Sequence, residues 1–365
     1  MSEFSREGKV RKLLNRLKFK SWEDIFEGKD LSSKVAVITC DGKSGASIKT
    51  CQILAKHGCR VVLASPNPIP ISTGTNAENI RVVECNFRAL RSVRNFANDF
   101  LALETRLDFL VLTADAQLCG DEVTEDGFEG ILQRNYLAQF FLMCLLLDLL
   151  VRSSPSRIVA VCSNYDAHRL STLNTSTFSR SIFFTRNPAN SKSLYSTYAD
   201  SVLCLVTSVL SFNRKMRNAC RARDKTGSVV QISTPPVQAF VIGQNGKWSL
   251  RISAFLAKNP CFRMVSNAVG KVFKRSEAKK ARLVCTALVA ADSPAGHFMK
   301  GTGKFGPSET AGSKLFQEML WVSSVDVIQT RMGPGSCKQA IWRGLNLAVG
   351  PMLSGVLKKY SVQED

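Results

Sequence analysis

Histidine is scarce in this chain, at three residues in 365, and none of the twelve cysteines stands in a CxxC pair. A zinc site and a disulfide framework are therefore not expected, because both need those ligands at short, repeated spacings. A chain of this length buries roughly 75% of the surface its unfolded form exposes and needs no covalent staples. A reducing, cytoplasmic setting is expected. Long uncharged apolar runs are also missing: none reaches the roughly 18 residues that span a bilayer. The opening MSEFSREGKVRKLLNRLKF lacks the unbroken apolar core of a secretory signal. The longest apolar run, 137–151, contains Gln139 and Asp148 and reads as a buried helix. No aromatic-interleaved RNA-binding motif accompanies the basic residues, so nucleic acid is not the expected partner.

What remains is the composition of a globular protein, 45% hydrophobic and 21% charged with 12 Pro and 23 Gly, enough for one large domain or two modest ones. Lys and Arg total 49 against 29 Asp and Glu, a net charge of +20. The excess gathers at 6–20, 214–225, 258–282 and 331–359, read as solvated outer faces. Such a field also suits an anionic membrane surface. The tail from Gln339 to Lys359 mixes Trp342, Leu345, Met352 and Leu357 with Arg343, Lys358 and Lys359. It can pack on the domain or touch a membrane peripherally.

Runs of consecutive apolar residues recur at wide spacing: KVAVIT (34–39), RVVLA (60–64), IRVVE (80–84), DFLVLT (108–113), RIVAVC (157–162), SVVQIS (228–233) and the weaker HFM (297–299). They predict strands covered on both faces. Helical patterns alternate with them at 44–57, 89–103, 127–152, 196–217 and 274–290. The expected class is α/β, a doubly wound parallel sheet of about seven strands with helices on both faces, the Rossmann arrangement. Between RVVLA and IRVVE, Pro66, Pro68 and Pro70 predict a loop where a helix is due. The domain reads as 34–333, after a basic amphipathic lead at 1–33 and before a tail at 334–365.

Several polar residues fall where such sheets bind ligands. TCDGKSGAS (39–47) follows the first strand and opens the first helix, so a glycine-rich turn there could bring a pyrophosphate to helix N–H groups. Asn135 sits in a helix, Ser163 ends the fifth strand and Tyr198 opens the next long helix. Taken singly, Asn135 reads as a backbone bridge, Ser163 as a strand end and Tyr198 as a half-buried aromatic with a wet hydroxyl. His57 and His168 read as surface or cap residues, Phe140 and Phe141 as core.

Together with WEDIFEGKDLSSKVAVIT, ILQRNYLAQFFL, SRIVAVCSNYDAHR, LYSTYADSVLCL and GPSETAGSKLFQEMLWVSS, these stretches resemble the short-chain dehydrogenase/reductase family. The likeness runs from about 19 to 333 and is strongest toward the branch of WW domain-containing oxidoreductases and retinol dehydrogenases. A WW module needs two tryptophans, and only Trp22 precedes the domain, so recognition of proline-rich partners is not implied. The resemblance implies NAD or NADP as cofactor and a lipophilic alcohol or carbonyl as substrate. It assigns proton transfer to Tyr198, contact with the reacting oxygen to Ser163 and support of a relay water to Asn135. It also implies a homodimer through the long helices.

Departures are as informative. The family's lysine, four residues after the tyrosine and on the same helix face, is Val202 here. The T-G-x-x-x-G-x-G turn has Cys40 for its first glycine, one extra residue, Asp41 near the phosphates and Ser47 for its last glycine. Gly42, Ser44, Gly45 and Ser47 remain the cofactor candidates there. Asn86 stands for an adenine-contacting Asp, and LTAD (112–115), including Thr113, replaces N-N-A-G. Thr234, Pro235 and Pro236 replace an H-P-G-like turn, and the residues after the second strand, Ser65 to Asn67, do not indicate NAD or NADP. The expectation is an oxidoreductase scaffold with weakened or lost catalysis. Its rivals are a working enzyme on retinoid- or steroid-like substrates and a peripheral membrane or scaffold-type binding protein.

Overall fold

A computed structural model describes residues 23–40, 45–67, 77–114, 123–162, 168–184, 194–225, 237–243, 266–289, 298–299, 307–333 and 336. In chain order the elements are α1 (Glu23–Phe26), β1 (Val35–Thr39), α2 (Gly45–Lys56), β2 (Arg60–Ser65), β3 (Ile80–Glu84), α3 (Leu90–Leu103), β4 (Phe109–Ala114), α4 (Gly130–Arg152), β5 (Ser156–Cys162), α5 (Leu194–Lys225), β6 (Val237–Gly243), α6 (Ser266–Val289), β7 (Phe298–Met299), α7 (Glu309–Gly312) and α8 (Lys314–Met332). The strands form one parallel seven-stranded sheet in the order β3-β2-β1-β4-β5-β6-β7.

The central strands carry runs of consecutive buried apolar residues because the sheet is covered on both faces, and the period of two divides their side chains between two cores. Val35, Val37, Leu110, Leu112, Ile158 and Ala160 point into one cluster, shared with α3, α4, α5 and α8. Ala36, Ile38, Phe109, Val111, Val159 and Val161 point into the other, shared with α1, α2 and α6. Ile25, Phe26 and Leu31 belong to this second core, so part of the stretch before 34 packs on the sheet.

α4 is long and apolar enough to cross a membrane, yet its side chains lie inside the fold, as a buried helix requires. α8 covers it: the Trp321 ring meets Phe140 edge-on at 5.0 Å, and Tyr136 Oη lies 2.7 Å from Ser324 Oγ. α8 is also tied to α5, where the Lys215 ammonium reaches Glu318 at 2.8 Å and stands 5.1 Å from the Trp321 ring centre. Burial draws the Lys215 pKa below its ordinary value, against the hydrogen bond and charge of Glu318.

Three expectations need correction. The sixth strand position is filled by Val237–Gly243 rather than SVVQIS, which lies outside the described residues. Both are short apolar runs, which periodicity cannot rank; Asn213 of α5 selects the later one by donating to Ala239 O at 2.7 Å and accepting from Ala239 N at 3.0 Å. The basic cluster at 214–225 is not wholly solvated, since the Lys215 side chain is 2% exposed. His168 is buried, and its Nε2 accepts from Ser308 N at 3.0 Å. His57 does act as a cap, with Nδ1 2.8 Å from Ile53 O near the end of α2. The connection from β2 to β3 shows a 3-10 turn at Ala77–Asn79, and 68–76 lie outside the described residues. The terminal basic segments, 6–20 and 337–359, lie outside them as well.

The amino edge of the sheet is locked by one carboxylate. Asp108, fully buried, accepts from Lys34 Nζ at 2.8 Å, Val35 N at 3.0 Å, and Arg106 Nε and Nη2 at 2.8 and 2.6 Å. Burial pushes its pKa up, but the bonds from Arg106, Lys34 and Val35 and the Lys34 charge outweigh it and hold the carboxyl below its usual range. A lowered folded-state pKa stabilises the fold above the unfolded carboxyl's value of about 3.9, and that stability is lost as pH falls through the folded value. Asp108→Asn is expected to lower unfolding free energy by about 3–5 kcal/mol at pH 7. The gap from the parent should narrow in acid, as urea titrations at pH 7 and pH 3 would show; a gap that widens in acid contradicts this account.

Candidate functional site

In an open parallel sheet the ligand crevice lies at the carboxyl ends of the strands where the winding direction reverses. Here that point is between β1 and β4, which pair in parallel with Val37 opposite Leu110. Its floor is a set of hydroxyls and an amide. Thr113 N donates to Thr39 Oγ1 at 2.8 Å, and that hydroxyl donates to Gln139 Oε1 at 2.9 Å. Gln139 Nε2 in turn donates to Arg134 O at 3.1 Å. Ser47 Oγ donates to Thr39 O at 3.2 Å and stands 3.0 Å from Thr113 Oγ1.

Ser47 and Thr113 are therefore turned into the floor, at 3% exposure each, and not toward a phosphate. The reason is local. A hydroxyl added where the family has a glycine finds acceptors beneath the turn, and a buried hydroxyl left unpaired costs about 1–3 kcal/mol. Gly42 and Ser44 lie outside the described residues.

Gly45 is the first residue of α2, and its missing side chain has a visible cause. A Cβ there would stand 3.2 Å from Glu277 Cγ and 3.7 Å from Glu277 Oε2. α6 thus lays a glutamate along the first turn of α2. Sequence reasoning read 258–282 as a solvated basic face and gave no sign of this approach, which only the packing of α6 on α2 creates.

Asn86 precedes α3. Its Oδ1 accepts from Arg88 N at 3.0 Å and its N donates to Ser92 Oγ at 2.9 Å. Among the described residues Nδ2 has no protein partner, which leaves a donor suited to a ring-nitrogen acceptor of adenine.

The catalytic candidates meet through a residue the sequence reading missed. α4 widens into a π turn over Gln133–Leu137, a distortion frequent at functional sites. It presents Asn135, whose Nδ2 donates to Ser201 Oγ at 3.0 Å; Ser201 Oγ donates to Tyr198 O at 2.8 Å. Ser201 lies three residues after Tyr198, so their shared helix face was the available signal. Tyr198 and Val202 are both 0% exposed in the same apolar core. Tyr198 is thus not a half-wet aromatic. Ser163 lies outside the described residues. The neighbouring phenol of Tyr136 is pushed well above its ordinary pKa by burial and is held by Ser324.

Residues 34–175 match the short chain dehydrogenase family. The chain is 26% identical over 322 residues to the WW domain-containing oxidoreductase of Homo sapiens, covering 86% of this chain and 72% of that one. It is 36% identical over 140 residues to retinol dehydrogenase 11 of Homo sapiens, covering 36% of this chain and 44% of that one. An uncharacterised protein from Mycobacterium paratuberculosis shares the fold, with a TM-score of 0.58 at 20% identity over 84% of this chain and 97% of that one. The resemblance to short-chain dehydrogenases holds in sequence and in fold.

For a nicotinamide dinucleotide, the described residues fit the adenosine side, through the Asn86 amide and the crevice at the head of α2. On the nicotinamide side the position one turn after Tyr198 offers an isopropyl group and no charge. Ser201→Ala removes the Asn135–Ser201 hydrogen bond and should lower unfolding free energy by about 1 kcal/mol. Denaturant titration checks this, and an unchanged midpoint would show that the bond adds no net stability.

Proposed function

We propose that this chain, which resembles the short-chain dehydrogenases in sequence and fold, is a scaffold descended from an NAD(P)-dependent oxidoreductase of lipophilic alcohols or carbonyls whose proton-transfer step is weakened or lost. The observation that carries the reading is Val202, wholly buried one helical turn after Tyr198. A phenol ordinarily has a pKa of about 10. A nearby ammonium favours its ionised form by proximity, and the same group can grip a ribose hydroxyl. Valine does neither. Loss of a general acid/base arrangement costs about a hundredfold to ten-thousandfold in rate.

When bound, the dinucleotide would supply or accept the hydride. The chain's own part is positional: Asn135 and Ser201 join α4 to α5 beside Tyr198, and Asn86 offers its amide to the adenine. The lipophilic substrate class follows from the family resemblance and from the name of the retinol dehydrogenase that the chain resembles over part of its length.

The test is a fluorescence titration of the full chain with NADH and NADPH, followed by retinol and retinal turnover in the parent and in Val202→Lys. The parent is expected to bind a dinucleotide and to turn over at least about a hundredfold more slowly than the lysine variant. Parent turnover of about 1 per second or faster, within the ordinary range for enzymes, would overturn the reading whether or not the variant folds. Vesicle co-sedimentation across a salt series addresses the membrane alternative, since cationic attraction to anionic lipid weakens with ionic strength.

A further inference from the structure

We propose that Gln139 is a positioning residue for Asn135, acting from inside the fold by holding the peptide group that carries that asparagine. This deepens the reading above and rests on it for the chemistry that Asn135 would support.

The π turn creates the opening for such a residue. Ala138 N donates to Gln133 O, five residues back, and regular α-helix resumes at Ala138. A helix that returns from five-residue to four-residue spacing passes over one carbonyl. After that bond it is the carbonyl of Arg134, and Gln139 Nε2 donates to it at 3.1 Å. This oxygen belongs to the peptide between Arg134 and Asn135, so the contact fixes the plane from which the Asn135 side chain leaves the helix. The far end of that side chain is fixed by Ser201 Oγ at 3.0 Å.

The direction of the Gln139 amide is set from the sheet. Thr39 Oγ1 accepts from Thr113 N at 2.8 Å, which leaves its one hydrogen for Gln139 Oε1 at 2.9 Å. With its oxygen so engaged, the amide presents its nitrogen to Arg134 O. Thr39, Gln139 and Asn135 are each at most 1% exposed, so these bonds are made away from bulk water. Gln139 is also the sole polar side chain between Ala138 and Leu147 of α4. An apolar residue would suit that stretch as packing, yet it holds a buried amide with a partner at each end. The links run from β4 and β1, at the floor of the crevice, through Gln139 and the Asn135 peptide to Ser201 and the Tyr198 carbonyl on α5.

The test uses the full chain carrying Val202→Lys, with Gln139→Leu, Gln139→Glu and Thr39→Val added singly. Retinal turnover with NADH and NADPH gives kcat and KM. The side-chain amide signal of Asn135 is followed by NMR in protein labelled with 15N-asparagine and is assigned by Asn135→Ser. Gln139→Leu is expected to shift that signal and to lower kcat about tenfold to a hundredfold, while KM for the dinucleotide stays within about twofold. Gln139→Glu keeps the acceptor for Thr39, and only its protonated carboxyl can donate to Arg134 O. Its kcat relative to that of the glutamine protein should therefore rise toward one as pH falls, which lost packing would not produce. Thr39→Val frees the amide to turn; it should shift the same signal and add no further loss when combined with Gln139→Leu. An Asn135 signal unmoved in all three variants would overturn the role of Gln139, as would an unchanged kcat in the lysine background. So would kcat and KM altered together with no recovery of Gln139→Glu in acid. If the Val202→Lys protein binds dinucleotide but gains no turnover over the parent, the reading above falls, and the Asn135 signal, which needs no turnover, still decides whether Gln139 places that side chain.

Discussion

A charged group taken out of water must be met by an opposite charge or by several hydrogen bonds, and much of this molecule is arranged around that requirement. Asp108 satisfies it with donors from Lys34, Arg106 and the backbone of Val35, which binds the start of β1 to the start of β4. Lys215 satisfies it with Glu318, which fastens α8 over the long helices. At α6 the last turn is met by cations, Arg157 donating to Ala287 O at 2.7 Å and Lys29 to Val289 O, as the negative end of a helix favours. At position 202, where the resemblance to short-chain dehydrogenases implies a lysine, this chain has a buried valine.

The two edges of the sheet have accordingly gone different ways. The amino edge is an ion-paired lock in which the Lys34 and Val35 contacts of Asp108 tie β1 to β4 and Arg106 supplies further charge locally. The carboxyl edge, where ligands bind in this kind of fold, is lined by neutral hydroxyls that pair with one another through Thr39, Ser47 and Thr113. Among the described residues that floor carries no charge, and Glu277 and Lys280, at the crossing of α6 with α2, are paired with each other.

Much of the fold was legible because parallel strands buried on both faces are apolar at consecutive positions, and β1 to β5 fall within a residue of the runs KVAVIT, RVVLA, IRVVE, DFLVLT and RIVAVC. α4 was legible as a buried helix for the same reason, its composition leaving no polar face. The misplaced sixth strand shows the limit. SVVQIS and VQAFVIG look alike to periodicity, and the choice depends on Asn213, distant in sequence, meeting the Ala239 backbone. At the site, Asn135 and Tyr198 could be placed from resemblance, whereas for Ser201 the shared helix face with Tyr198 was the one signal, and its partner on a second helix appears only in the fold.

From sequence alone came the residue types: an alternation that winds a parallel sheet, a tyrosine and an asparagine in the expected order, and a valine where a lysine belongs. The alternation is a matter of local pattern, readable because strand and helix periods are short; the tyrosine, asparagine and valine positions are what the resemblance to short-chain dehydrogenases implies. The tertiary structure decided where polar groups point. Ser47 turns inward to Thr113, Lys215 hides beneath α8, and Glu277 lies against Gly45. A hydroxyl or a charge takes its direction from the nearest partner in space, and that partner sits tens or hundreds of residues away along the chain.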